Sequence, residues 1–233
     1  MCGFFVIKKK INNYQIDKKL FQSSCDLINH RGPDDKQNFF SKNIFMGFRR
    51  LSIIDLSKNG RQPITDEKNE NIMVFNGEIY NANKLKKNLP NHKFKGHSDT
   101  EVLLKLYEIY GEKCLNMVKG MFSFVVYNTK NNNIFVARDQ FGIKPLYYFN
   151  HKNFLIFSSE IKPIINYIKK SQINYKSMAD YFLLGKQDHY NTTFIENINA
   201  IEPAHCYKFN NNKIYKKKYW SIFEKKPKKL NEK

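Results

Sequence analysis

Long apolar runs are missing from this 233-residue chain. Nothing in it approaches the roughly 18 consecutive apolar residues of a membrane-spanning helix, so no membrane partner is expected. The N-terminus lacks a basic region, an apolar region and a small-residue cleavage site in series, so no signal peptide is expected. Cysteine is scarce: Cys2, Cys25, Cys114 and Cys206 lie far apart and form no Cys-x-x-Cys pair. That spacing argues against a disulfide framework or a zinc site and fits a reducing, cytoplasmic setting. Acidic residues are also few, 21 against 40 Lys and Arg, which leaves a formal charge of +19. Such an excess can draw a chain to nucleic acid. Here the lysines are spread along the chain and no aromatic–basic recognition motif accompanies them. The charge is therefore read as compositional and nucleic acid is not an expected partner, although weak electrostatic binding stays open.

What is present suits a globular fold. Hydrophobic residues make up 41% and aromatics 15% of a chain long enough for one large domain or two small ones. Alternation and turn residues predict strands at 3–8, 44–48 and 50–55 (a pair or one bent strand), 72–75, 121–127, 133–138, 145–149 and 154–158. The four from 121 to 158 read as an antiparallel meander. A last hairpin over 205–209 and 213–217 would turn at Asn210-Asn211-Asn212. Helices are expected at 18–29 behind an Asp17 cap, at 80–89, after Ser98 with a Ser98–Glu101 capping box, at 160–169 and at 175–184. Strands, helices, strands, helices, strands suggest an α+β arrangement of two antiparallel sheets face to face with helices outside.

Chemistry concentrates at the N-terminus. If Met1 is removed, Cys2 carries a thiol and a free α-amine, whose unperturbed pKa near ~8 lets it act as a base close to neutrality. Gly3 leaves room beside it. Asn76 and the Gly77 N–H could form an oxyanion hole, although Asn-Gly is equally the signal of a type I′ turn. Arg50 could hold a carboxylate through two parallel hydrogen bonds. Glu78 and Asp99 could hold an ammonium, against the plainer readings of a loop charge and a helix-start carboxylate.

These residues sit in runs that resemble one family. Met1-Cys2-Gly3, His30-Arg31-Gly32-Pro33-Asp34, Arg50-Leu51-Ser52-Ile53-Ile54-Asp55, Asn76-Gly77-Glu78-Ile79-Tyr80-Asn81 and Ser98-Asp99-Thr100-Glu101 look like the glutaminase domain of class II glutamine amidotransferases. So do Gly120 to Phe124, Ala137 to Tyr148, and Ser158 to Lys162, in the family's order. Asn-Gly-Glu-Ile-Tyr-Asn resembles the asparagine synthetase branch. The resemblance implies an N-terminal-nucleophile hydrolase fold, a four-layer αββα sandwich, over residues 1–220; the Lys-rich, polar stretch 221–233 reads by composition as a basic tail or linker. It implies Cys2 as nucleophile with its α-amine as base, and Asn76 and Gly77 as the oxyanion hole. Arg50, Glu78 and Asp99 would clamp glutamine, with main chain near Leu51 and Ile53 lining the pocket. Arg31, Arg138 and Asp139 match motifs without a chemical step that needs them, so structural or domain-contact roles are expected.

The implied reaction is hydrolysis of glutamine to glutamate and ammonia through a cysteinyl thioester, with no cofactor. ATP and Mg are implied only for a synthetase domain that would use the ammonia on activated aspartate. Its Ser-Gly-Gly-x-Asp-Ser loop has no counterpart here, since the chain has no Gly-Gly and no glycine after Gly185. An acceptor domain or subunit is thus the expected partner, and a homo-oligomer is compatible with the pattern. The alternatives are a class II enzyme serving a sugar or nucleotide precursor, and a non-catalytic or basic nucleic-acid-binding module.

Overall fold

The structure is a computed structural model that describes residues 1–89, 92–187, 189–210 and 213–224. In chain order the elements are β1 (Gly3–Lys9), α1 (Lys18–Asp26), β2 (Asp35–Phe40), β3 (Ile44–Arg50), β4 (Ile64–Thr65), β5 (Asn71–Ile79), α2 (Ala82–Lys87) and α3 (Asp99–Tyr110). They continue with β6 (Gly120–Asn128), β7 (Ile134–Arg138), β8 (Tyr147–Asn150), β9 (Phe154–Ser158), α4 (Ile161–Ile168), α5 (Tyr175–Leu184), β10 (Ile198–Ala200), β11 (His205–Asn210) and β12 (Lys213–Lys218).

Two six-stranded antiparallel sheets form, one ordered β10-β8-β9-β1-β3-β2 and the other β12-β11-β7-β6-β5-β4. Both faces of each sheet are covered, so the central strands read as unbroken apolar runs rather than alternating ones. In β1, Phe4 and Val6 face the core between the sheets, while Phe5 and Ile7 face α1 and α4. In β5, Ile72 and Val74 face that same inner core, while Met73 and Phe75 pack under α3. Side chains that alternate across a strand thus feed three apolar layers, and the result is the four-layer αββα sandwich.

Several expectations change. The strand set 121–158 is not one meander. β6 and β7 pair in one sheet and β8 and β9 in the other, because the chain crosses between sheets at 139–146. Residues 51–55 form no strand: the Asp34 carboxylate takes the Ser52 N–H at 2.7 Å, and the chain turns away after Arg50. β2, β4 and β10 lacked any clear sequence signal. The Asp17 cap forms, accepting from Leu20 N at 2.9 Å. The Ser98–Glu101 capping box does not. Ser98 caps Thr100 N at 3.1 Å, but Glu101 turns back to take the Lys95 and Gly96 amides at 2.8 and 3.0 Å. The Asn211-Asn212 turn and residues 225–233 of the basic tail lie outside the described residues.

The crossing segment is built on Asp139, which is 1% exposed. Its carboxylate accepts from the amides of Phe141, Ile143, Phe122 and Lys144 at 3.1, 2.9, 3.1 and 2.9 Å. Arg138 grips the same loop through the carbonyls of Lys144 and Gly142 and ties it to the Ile201 carbonyl after β10. Both residues therefore have structural roles within this domain. Asp139→Asn puts an NH2 against two of the four amides. Each stranded buried donor costs about 1–3 kcal/mol, so two should lower unfolding stability by roughly 2–6 kcal/mol. An unchanged urea midpoint for the variant would show that the carboxylate does not hold the loop.

Candidate active site

β5 runs two residues beyond Gly77, so Asn76-Gly77 is a strand segment opposite Ser123 and Phe122 of β6, not a turn. Its edge partner β4 pairs only with Ile72 and Met73. Beyond that point the free edge of β5 is met by side chains. Gln62 takes both the N–H and the C=O of Phe75, at 2.6 and 3.1 Å. Asp99 takes the N–H of Ile79 at 2.8 Å. Strand amides alternate sides, so the Gly77 N–H points to that same edge, between these two. Gly77 is also obligatory, because a Cβ there would strike the Met121 carbonyl.

Asn76 lies on the face that Ile72 and Val74 turn to the inner core. It is 1% exposed, yet among the described residues its Nδ2 has no hydrogen-bond partner. A buried N–H donor with nothing to bind is costly, and such orphans mark sites completed by something else.

A cavity of about 270 Å³ opens beside it. All eight residues singled out from the sequence line it: Cys2, Arg50, Leu51, Ile53, Asn76, Gly77, Glu78 and Asp99. Cys2 enters at the start of β1, against the inner core. Its Sγ contacts the Leu51 carbonyl at 3.5 Å and the Leu51 N–H at 3.4 Å. Its carbonyl is held by Arg31 Nε at 3.0 Å, and Arg31 in turn pairs with Glu160 at 3.1 Å. His30 meets the same Glu160 oxygen at 2.8 Å. Gly3 makes room for this grip, since a Cβ there would sit 2.9 Å from Arg31 Cδ. Arg31 thus anchors the residue that carries the thiol. Burial pushes the Cys2 thiol up, against the Leu51 bond, the N-terminal charge, Arg50 and Arg31. The resting group is therefore a thiol that needs a base.

Arg50, 7% exposed at the end of β3, donates to the carbonyls of Ser57 at 2.9 Å and of Asp55. These use one N–H on each Nη and leave the other donors of the fork for the cavity. Asp99, at the first turn of α3, has its carboxyl pushed up to about 6, chiefly by burial, with Glu78 adding repulsion. Ile53 sits at the mouth, 64% exposed. Gln62, Asp55, Gly60, Thr100 and Lys144 also line the cavity and were not picked out from the sequence. Asp55 at least shares a run with Arg50; Gln62 has no local signal, because its partner Phe75 lies on the edge of β5, 13 residues on. Among the described residues no three His, Cys, Asp or Glu are placed to hold a metal ion.

A family model described as a glutamine amidotransferase domain matches residues 1–220. The chain belongs to that family. Among curated relatives, asparagine synthetase [glutamine-hydrolyzing] 2 of Bacillus subtilis (strain 168) is 40% identical over 210 residues, covering 87% of this chain and 28% of the relative. Asparagine synthetase [glutamine-hydrolyzing] 3 of the same organism is 33% identical over 230 residues, covering 95% and 37%. The chain thus spans well under half the length of these relatives, 28% and 37%. Among solved structures, the glutamine phosphoribosylpyrophosphate amidotransferase of B. subtilis superposes with a TM-score of 0.65 at 18% identity, over 95% of this chain and 50% of that one. That likeness speaks for the N-terminal-nucleophile fold.

Asp99 supplies a test of the site's electrostatics. Its folded pKa lies above the ordinary carboxylate value, so it stabilises the fold at low pH and loses that contribution as pH rises through about 6. Asp99→Asn keeps an acceptor for Ile79 N. Urea unfolding should show the wild type losing stability relative to Asp99→Asn between about pH 4 and 6, by at most ~3 kcal/mol, and no further change above. A flat difference across that window would mean that Asp99 titrates normally.

Proposed function

We propose that this domain hydrolyses glutamine to glutamate and ammonia, with Cys2 as the nucleophile once Met1 is removed. The observation that carries the reading is the orphan donor Asn76 Nδ2, beside the edge amide of Gly77, in one cavity with the Cys2 thiol. An unpartnered amide donor and a strand-edge N–H, in one cavity with a thiol, suit an oxyanion that exists only during reaction.

In this reading the free α-amine of Cys2 takes the thiol proton as Sγ attacks the glutamine side-chain carbonyl carbon. Asn76 Nδ2 and Gly77 N–H hold the oxyanion. The tetrahedral species collapses, the C–N bond breaks, and the protonated α-amine returns its proton to the leaving ammonia. Water, activated by the same amine, then cleaves the thioester to glutamate. Arg50 holds the substrate α-carboxylate; Asp99 and Glu78 hold its α-ammonium. Leu51 main chain flanks the thiol and Ile53 closes the mouth. The ammonium would favour ionised Asp99, so glutamine affinity should weaken below about pH 6.

None of these steps calls on a metal or organic cofactor. The ammonia goes to a synthetase-type acceptor domain or subunit, which would take ATP and Mg and act on activated aspartate. The asparagine synthetase relatives, with most of their length beyond this region, support that partner. Among the described residues no helix is long and apolar enough to cross a membrane, and a cytoplasmic setting suits the four unpaired thiols.

The test is covalent. A glutamine-analogue electrophile such as diazo-oxo-norleucine should add one mass to protein lacking Met1, on Cys2, and Cys2→Ala should abolish both labelling and ammonia release while leaving the fold intact. Cys25, Cys114 and Cys206 are buried, with thiols pushed up to about 12, 12 and 11, so they should stay unlabelled. Label on any of them, or undiminished turnover by Cys2→Ala, would refute the assignment.

A further inference from the structure

The two ends of the amino-acid clamp are on different elements. Arg50 ends β3 and Asp99 begins α3, almost fifty positions later in the chain. One buried carboxylate joins them. Asp55, 7% exposed, uses Oδ1 to take the Ser57 N–H at 2.8 Å and the Ser57 hydroxyl at 2.6 Å. This fixes the short turn whose two carbonyls, those of Asp55 and Ser57, receive the Arg50 guanidinium. With its other oxygen, Oδ2, Asp55 takes the His97 N–H at 2.8 Å, two residues before Asp99.

The surroundings leave this junction no slack. A Cβ on Gly60 would collide with the Arg50 fork, and one on Gly96 would press on Asp55 Oδ2. The Ser57 hydroxyl bond is the chief cause holding the Asp55 carboxyl below the usual carboxylate range, with the His97 and Ser57 amides adding to it. The group therefore stays ionised through the neutral range, as three donors require.

We propose that Asp55 is a positioning residue that sets the separation between the carboxylate-binding Arg50 and the ammonium-binding Asp99, and so the selection of a free α-amino acid. This rests on the clamp of the proposed function and extends it to a residue whose two carboxylate oxygens are engaged by Ser57 and His97. A carboxylate oxygen on each side makes the link rigid: one oxygen serves the Arg50 turn, the other the segment leading into α3. Asp55→Asn has nearly the same shape but only one acceptor oxygen. It must set an NH2 against either the Ser57 donors or the His97 N–H, so one end of the clamp is released.

The product L-glutamate is the binding probe, since it has both α groups and no cleavable amide. Calorimetry on the purified protein should show binding that is weaker by about tenfold or more in Asp55→Asn, as expected for a lost hydrogen bond to a charged group. Discrimination should fall as well. The wild type should prefer glutamate over 4-aminobutyrate, which lacks the α-carboxylate, and over glutarate, which lacks the amine; in Asp55→Asn both preferences should shrink. Gly96→Ala removes no polar group but pushes on Oδ2, and should act in the same direction; it decides the matter if Asp55→Asn fails to fold. A folded variant with unchanged glutamate affinity and unchanged preferences overturns the proposal, even if its melting temperature drops. A wild type that binds no glutamate also overturns it. A wild type that binds glutamate selectively but releases no ammonia from glutamine would remove the glutaminase reading and leave the clamp standing.

Discussion

β5 continues to Ile79 while its edge partner β4 ends at Thr65, opposite Ile72. The remaining edge must be satisfied by something other than a strand, because backbone amides shielded from water need partners. Gln62 and Asp99 supply two of those partners by side chain. The Gly77 N–H between them is left facing the cavity. An open strand edge, usually a liability for a sheet, here becomes a wall of the cavity. The opposing sheet supplies Cys2 to that wall, because β1 begins where the two sheets face each other.

The same cavity holds charges that burial makes costly. Asp99 is buried next to Glu78, and burial raises its proton affinity. Arg50 is buried with its guanidinium turned partly to loop carbonyls. A zwitterionic amino acid would complete both ends at once, meeting an ionised carboxylate and a forked cation. Affinity for such a ligand then comes from relieving charges that are already placed, rather than from apolar area. The rest of the polar apparatus is scaffolding. Arg31 with Glu160 holds the carbonyl of Cys2, and Asp139 with Arg138 folds the loop that brings Lys144 to the cavity.

Much of the architecture was legible because the strands and helices that matter are apolar on the faces they bury. Phe4 to Ile7, Met73 to Phe75 and Phe122 to Tyr127 announce themselves by composition. Where the sequence reading failed, the local pattern was outvoted by a distant group. Asp34 captured Ser52 and kept 51–55 out of the sheet. β6 to β9 look like one meander, yet the Asp139 loop sends the second hairpin to the other sheet. Asn76-Gly77 has the composition of a turn, but pairing with Ser123 and Phe122 holds it extended.

By itself the sequence determined the apolar periodicity of the layers, the glycine beside Cys2, and the identity of the chemical groups: a thiol one residue from the start, an Asn amide, an Arg fork and two carboxylates. Those are properties of residue type and order, and they survive in one dimension. Only the tertiary structure decided that these groups share one cavity, that Asn76 Nδ2 has no partner among the described residues, and that Asp55, Gln62 and Arg31 support them. Such relations join positions tens of residues apart through single hydrogen bonds. A bond of that kind leaves no period or spacing in the chain, because its geometry exists only once both sheets and the loops between them are packed.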